Sequence, residues 1–321
     1  MGQKLITEIP SIKDLFDRAS AILEYDLLNL CLKGPKETLD QTEFCQPATV
    51  VTSLAAIEAL WETDETAVKN CVATAGFSVG KKIKSKMLEI PRNLKSLSIL
   101  GEITALIFSG ALSFEEGLRL TQIRGKAMQT ASELQPSGMM TIFYGKSANI
   151  ALACQAARKW VEETNNIQYP VCQVANHLYN GGKVLAGHIE ALEFIESNKK
   201  DFGIRKTKWL PVSGAFHTDL MAPAKDIFEE ALNHCSINDP RIPVYSNYKA
   251  GLYRQSKHVK LMLPKQITGQ VKWESLINNI MKYSKEEDYP RIIECGPGSS
   301  LTSMLKNISG KIAKRASVVQ A

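Results

Sequence analysis

Ala75-Gly76-Phe77-Ser78-Val79-Gly80 carries the pattern G-x-S-x-G, directly after the small apolar stretch Cys71-Val72-Ala73-Thr74. This is the pattern of a nucleophile elbow, in which a strand ends, turns sharply and runs into a helix. The glycines serve a tight turn whose backbone passes close to its neighbours. Ser78 then stands at a helix N-terminus, where main-chain N–H groups can receive a developing oxyanion. A serine nucleophile needs a base within hydrogen-bond reach. Of five histidines, His217 is the best placed, in Leu210-Pro211-Val212-Ser213-Gly214-Ala215-Phe216-His217-Thr218, where a strand runs into a glycine-bearing turn. Ligands of open α/β sheets bind at such carboxyl ends. A turn histidine capping the next helix is the alternative. His177, His188, His234 and His258 read as surface residues. Arg124 borders the apolar face marked by Leu120 and Met128. A guanidinium there needs an anion or a route to water, and its fork suits bidentate capture of a carboxylate. A structural salt bridge is the plainer account. Asp201, Asp219 and Asp226 are the acids nearest His217 in sequence, and none sits in an informative motif. A carbonyl can orient an imidazole equally well.

Those residues need elements to hold them. Apolar spacing predicts helices over 11–34 and 47–60, and a buried strand over 70–77 leads into the elbow. Ser113-Phe114-Glu115-Glu116 is a capping box opening a helix to about residue 134. From residue 138 the pattern changes. Strands over 139–144, 170–176, 183–186 and 205–212 enclose helices over 147–163 and 188–199. That β-α-β-β-α-β order is ferredoxin-like. Longer α/β units then return, with helices over 219–234 and 256–267 and strands over 244–247 and 291–295. The expected architecture is α/β: an α/β-hydrolase-like parallel-sheet domain, 1–137 and 209–321, interrupted by a ferredoxin-like small domain, 138–208.

The 321 residues include 44% hydrophobic and 22% charged residues, ordinary for a soluble globular protein. No apolar run reaches transmembrane length. Seven scattered cysteines, never in C-x-x-C, argue for reduced thiols, small core residues and no zinc site. The start, Met1 to Pro10, has neither a signal-peptide core nor the arginines of a transit peptide. The net charge is +6, of which residues 81–101 hold +5. One local basic block without interleaved aromatics does not describe a nucleic-acid surface. This block, 81–100, carries Pro91 and matches neither neighbour; it reads as a solvated loop beside the elbow, where a helix should follow Gly80 directly.

Taken in order, these pieces resemble the malonyl-CoA:acyl carrier protein transacylase family, and its animal mitochondrial form most closely. The matching stretches begin with Tyr25-Asp26-Leu27-Leu28, Gly34 to Leu39, Gln46-Pro47-Ala48 and Gly76 to Gly80. They continue through Gly101-Glu102, Ile123 to Gln129 and Pro211 to Thr218. Val244-Tyr245-Ser246-Asn247, Gln266 to Trp273 and Glu294 to Gly298 complete them. The resemblance implies that Ser78 becomes malonyl-serine, His217 moves its proton and Arg124 binds the malonyl carboxylate. It further implies that the Gln266 carbonyl orients His217, that Val79 N–H is an oxyanion donor and that Asn176 lines the cleft. The implied partners are malonyl-CoA and acyl carrier protein, with no metal or redox cofactor, no nucleic acid, no membrane and a monomeric state. The implied location is the mitochondrial matrix. Two departures stand out. The family's opening strand and G-Q-G-S-Q loop precede the residue matching Met1, and 81–100 has no counterpart. Both lead to the expectation of weak or absent turnover. A serine esterase and an inactive carrier-protein-binding module are the rival readings.

Overall fold

The structure is a computed structural model that describes residues 9–77, 96–282 and 289–320. Its first helices follow apolar spacing. α1 (Pro10–Leu23) buries Ile12, Phe16, Ala19 and Leu23 and ends where Glu24 turns left-handed. α2 (Leu27–Lys33) restarts because the Asp26 side chain accepts the Asn29 N–H at 2.8 Å. The single helix expected over 11–34 is therefore two. After the short α3 (Lys36–Leu39), α4 (Thr42–Lys69) runs well past the 47–60 span. It kinks at Asp64, whose Oδ1 accepts from Ala67 N–H and whose Oδ2 accepts from Arg291.

The large sheet holds β1 (Cys71–Gly76), β2 (Ser96–Leu100), β7 (Val244–Tyr245), β8 (Leu252–Tyr253), β9 (Arg291–Cys295) and β10 (Ala316–Val319), in the order β10-β9-β2-β1-β7-β8. All neighbours are parallel except β7 and β8. β2 corrects one expectation. Residues 96–100 are not solvated loop but an inner strand, paired to β1 on one side and β9 on the other. Their sequence, Ser-Leu-Ser-Ile-Leu, is the one part of the 81–100 block without charge and with β-branched and apolar residues. Residues 81–95 lie outside the described residues.

Helices cover this sheet. α5 (Glu102–Phe108) follows β2 at once. α6 (Phe114–Glu133) opens on the expected capping box, with Ser113 Oγ accepting the Glu116 N–H at 3.1 Å. It buries Leu118, Leu120, Thr121, Arg124, Ala127, Met128 and Ala131 along one face. Residues 219–234 begin as a 3₁₀ turn and continue as α9 (Ala222–Asn233). The span expected as one helix over 256–267 divides into α10 (Ser256–Met262) and α11 (Lys265–Thr268). Pro264, with no N–H to donate, stands at the division. α12 (Trp273–Met281), α13 (Ser300–Ile308) and α14 (Gly310–Ala313) complete the packing.

Between the halves of that unit lie β3 (Ser137–Tyr144), α7 (Ile150–Thr164), β4 (Cys172–Tyr179), β5 (Gly182–His188), α8 (Ile189–Ser197) and β6 (Ile204–Trp209). They make an antiparallel sheet ordered β4-β5-β3-β6, with the chain order and strand order of a ferredoxin-like unit. Its two faces follow strand alternation. Met140 and Ile142 pack on α7 and α8, while Met139 and Val184 face Phe77, Ala215 and Phe216. Among the described residues no helix is long and apolar enough to cross a membrane. Three cysteines are buried and four are half-buried, so the core role expected of most holds for Cys154, Cys172 and Cys295.

One contact packs the end of β1 against the start of α5. β1 ends at Gly76, and a Cβ added there would fall 2.0 Å from the Glu102 main-chain nitrogen and 2.3 Å from the Gly101 carbonyl carbon. Backbone cannot yield as a flexible side chain does. Gly76→Ala should therefore destabilise the fold by at least about 2 kcal/mol in urea denaturation. An unchanged midpoint would mean that β1 and α5 do not meet this closely in solution.

Candidate active site

His217 lies beyond β6 in a turn stitched to α11. Its N–H donates to the Ile267 carbonyl at 3.1 Å, and its own φ is +63°. A left-handed non-glycine residue costs on the order of 1 kcal/mol or more, so the surrounding bonds must hold it there. The ring is buried, and Nδ1 lies 2.7 Å from the Gln266 main-chain oxygen. A carbonyl oxygen only accepts, so Nδ1 carries the proton and the lone pair of the neutral ring sits on Nε2. Burial, first, and the neighbouring Arg124 push the imidazole down to about 4, against the pull of the Gln266 bond. At neutral pH it is an uncharged base. The acids nearest in sequence, Asp201, Asp219 and Asp226, are not the partners of Nδ1; a carbonyl takes that place.

Arg124 projects from α6 and is 3% exposed. Nη1 donates to Gln46 Oε1 on α4 at 2.6 Å, and Nη2 donates to Gln266 Oε1 at 2.8 Å. Among the described residues the guanidinium forms no structural salt bridge, and its burial rules out an escape to water. Among the described residues no carboxylate lies within salt-bridge distance of the guanidinium. Burial lowers its pKa to about 10, and Glu102 opposes that shift, so Arg124 stays charged. Gln266 thus serves both functional groups, its main chain holding the imidazole and its side chain holding the guanidinium.

The end of β1 enters the same cluster. Asn247, just after β7, donates its side-chain amide to the Gly76 carbonyl. Phe77 packs edge-on against Trp273, ring centroids 5.3 Å apart. The described chain then stops, so Ser78 and Val79 lie outside the described residues. Asn176 is buried on β4, and its backbone bridges to Val271. Two hydrogen bonds, Val271 N–H to Ala175 O and His177 N–H to Val271 O, tie β4 to the segment following α11.

Several residues of this cluster carried no role in the sequence reading. Gln46, Glu102 and Asn247 stood inside matching stretches, and Tyr253 in none. The signal for Glu102 was a carboxylate opening the apolar run Glu-Ile-Thr-Ala-Leu-Ile-Phe. It is buried, with Oε1 accepting from Tyr253 Oη at 2.5 Å and from Asn247 N–H at 3.1 Å. His188 was read as a surface residue and is buried instead. Its Nδ1 accepts the Val171 N–H at 2.9 Å and its Nε2 lies 2.5 Å from Gln135 Oε1. Among the described residues no group of three or more His, Cys, Asp or Glu side chains could hold a metal ion.

A relative from Drosophila melanogaster, named as a probable mitochondrial malonyl-CoA-acyl carrier protein transacylase, is 42% identical over 97% of this chain and 76% of its own length. The human protein named mitochondrial malonyl-CoA-acyl carrier protein transacylase is 40% identical over 99% of this chain and 76% of its own length. The chain belongs to the malonyl-CoA-acyl carrier protein transacylase family. No family model matches it. Among solved structures, a malonyl-transacylase in complex with its type II PKS acyl-carrier protein superposes with a TM-score of 0.76 at 26% identity, over 99% of this chain and 90% of that one. The α/β architecture with its mixed helices and sheets is that of the transacylase family. The family resemblance implies that the Gln266 carbonyl orients His217; in the structure that oxygen lies 2.7 Å from Nδ1.

A buried neutral imidazole has a consequence for stability. The unfolded ring binds a proton near pH 6.5 and the folded ring only near pH 4. Between these values the unfolded state holds more protons, so stability is present above pH 6.5 and is lost as pH falls towards 4. The loss attributable to this ring is on the order of 3 kcal/mol. Thermal melts from pH 7.5 to 4 should show that fall, and His217→Asn should flatten it. An equally steep acid limb in the variant would remove His217 as its source.

Proposed function

We propose that this chain transfers a malonyl group from malonyl-CoA to the phosphopantetheine thiol of acyl carrier protein, through an ester on Ser78. The observation that carries the reading is the joint hold of Gln266 on His217 and Arg124. It joins a proton acceptor to a buried cation whose hydrogen-bond partners among the described residues are neutral amide oxygens. A serine esterase would need the first and has no use for the second.

In the first half-reaction Ser78 Oγ attacks the thioester carbon while its proton passes to His217 Nε2. The oxyanion is received by Val79 N–H. The tetrahedral intermediate collapses, the carbon–sulfur bond breaks, and the imidazolium returns the proton to the CoA sulfur. In the second half the phosphopantetheine thiol gives its proton to His217, sulfur attacks the malonyl ester, and Ser78 Oγ recovers the proton. The order is ping-pong. A thioester is already activated, so the scheme uses no metal and no redox cofactor.

Arg124 receives the free malonyl carboxylate, a bidentate match for a guanidinium fork. This has a second effect on the base. Arg124 disfavours the imidazolium by its charge. A carboxylate seated on Arg124 offsets that charge, so proton transfer to Nε2 is easier with the diacid bound. Asn176 lines the cleft from the side of β4. Residues 138–208 act as a small domain set into the large one, 1–137 and 209–321, and the cleft between them admits the acyl arm. Support for the carrier protein as partner comes from the solved complex of a related malonyl-transacylase. The names of the Drosophila and human relatives support a mitochondrial site of action, which we place in the matrix. On this reading the chain acts as a monomer, without membrane or nucleic acid.

Intact-mass measurement after incubation with malonyl-CoA tests the reading. One malonyl adduct should form, should be absent in Ser78→Ala and should move to added acyl carrier protein. Arg124→Ala should lose about a hundredfold in kcat/KM for malonyl-CoA and far less for acetyl-CoA, because the variant no longer pairs the incoming charge. Hydrolysis without transfer would indicate an esterase, and no adduct at all a carrier-binding module.

A further inference from the structure

Arg124 lines a small cavity together with Thr49, Glu102, Thr104 and Gln266. Glu102 enters it from the start of α5, and its carboxyl is unevenly served. Oε1 takes both hydrogen bonds, from Tyr253 and from Asn247 N–H, while Oε2 is buried with no partner among the described residues. The Ser246 hydroxyl faces the carboxyl without reaching hydrogen-bond geometry. Thr104 Oγ1, on the cavity wall, is likewise buried without a partner. The cavity therefore places an incompletely satisfied carboxyl and a fully buried guanidinium around one space, beyond salt-bridge distance but within each other's field.

We propose that Glu102 is the resident counter-charge of Arg124, and that its ionisation sets how strongly the site prefers a carboxylate-bearing acyl group over a neutral one. The proposal rests on the malonyl-transfer reading of the same site. With Glu102 protonated, Arg124 is a bare cation among amide oxygens, and the substrate carboxylate becomes its counter-ion. With Glu102 ionised, the pair is already neutral, and an incoming carboxylate meets a like charge behind the guanidinium. Interaction between charges in such surroundings is weakly screened. Glu102 is a positioning residue here, acting on substrate only through Arg124.

The switch falls in a useful range. Burial, opposed by the Tyr253 and Asn247 bonds and by Arg124, holds the carboxyl at about 7. The groups facing it are Arg124 from α6, Tyr253 from β8, and Ser246 and the Asn247 amide after β7. α4 contributes Thr49 and Val50 to the shared cavity, and α11 contributes Gln266, none of them charged. His217 titrates near 4 and Arg124 near 10, so neither changes charge between pH 6 and 8.5. By reciprocity, binding a carboxylate on Arg124 raises the affinity of Glu102 for a proton.

Equilibrium binding of malonyl-CoA and acetyl-CoA to Ser78→Ala, which cannot be acylated, tests this at pH 6 and pH 8.5. Both ligands carry the same nucleotide phosphates, so the ratio of their dissociation constants isolates the carboxylate. The preference for malonyl-CoA should fall on the order of tenfold across this range, the scale of one charge acting over ~10 Å at an effective dielectric near 20. With Glu102→Gln added, the preference should stay at its acid value at both pH values. With Tyr253→Phe added, the carboxylate loses a donor and the fall should move to higher pH; this variant carries the test should Glu102→Gln not fold. A preference equal at both pH values, or a fall that survives Glu102→Gln, overturns the proposal. If malonyl-CoA binds no better than acetyl-CoA even at pH 6, the assignment of Arg124 fails first and takes this inference with it. If the preference is present but insensitive to pH, only the role of Glu102 falls.

Discussion

A guanidinium removed from water, with neutral amide oxygens as its partners among the described residues, is the constraint around which the rest of this molecule is arranged. Moving such an ion into a protein interior is costly unless its donors are met. Arg124 has its donors met by Gln46 and Gln266, which stand 78 and 142 positions away in the chain. Those two bonds require α4, α6 and α11 to converge on one point. α4 and α6 pack against each other, with Gly125 brought so near that a Cβ added there would lie 2.9 Å from the Glu43 Cα. α11 is only four residues long, and its place is held by bonds to the His217 turn and by Pro264. A cation held by amide dipoles rather than by carboxylates keeps its charge available. That is the property the malonyl-transfer reading asks of the site.

The parts legible in sequence were those set by local rules. The capping box at Ser113 and the alternation that gives the small antiparallel sheet are decided within a few residues, and both were readable. So was the apolar strand leading to Gly76. What local rules could not supply was the pairing of distant groups. Arg124 could be read as a buried cation needing a partner, but nothing in its neighbourhood says that the partner is the side chain of residue 266. The link from Gln266 to His217 came through family resemblance, not through spacing. Glu102 was visible as a carboxylate at the head of an apolar run. Its meaning depends on Tyr253, 151 positions away.

The strand over 96–100 illustrates the opposite failure. A block that is mostly basic was read whole, so that its uncharged end took on the character of the rest. Composition averaged over twenty residues hid five that had the pattern of an inner strand. Their place between β1 and β9 is set by pairing partners on both sides. A sheet interior asks for main-chain hydrogen bonds and apolar side chains, and a window wide enough to catch a charge excess is too wide to see them.

The electrostatics of the site follow from burial acting on three groups at once. Burial lowers the imidazole and the guanidinium and raises the carboxyl, because in each case it penalises the charged form. The outcome differs by how far each group begins from neutral pH. Arg124 starts so high that it remains a cation, His217 starts near neutrality and becomes a neutral base, and Glu102 is carried to the middle of the physiological range. One physical cause therefore yields a buried cation, a neutral imidazole and a carboxyl titrating near neutrality within a single cluster. The three are coupled because they share a cation. An anion arriving at Arg124 makes protonation easier at His217 and at Glu102 alike. On the malonyl-transfer reading proposed above, substrate binding would prepare the base in the same event that fills the anchor, and an acyl group without a carboxylate would forgo both effects.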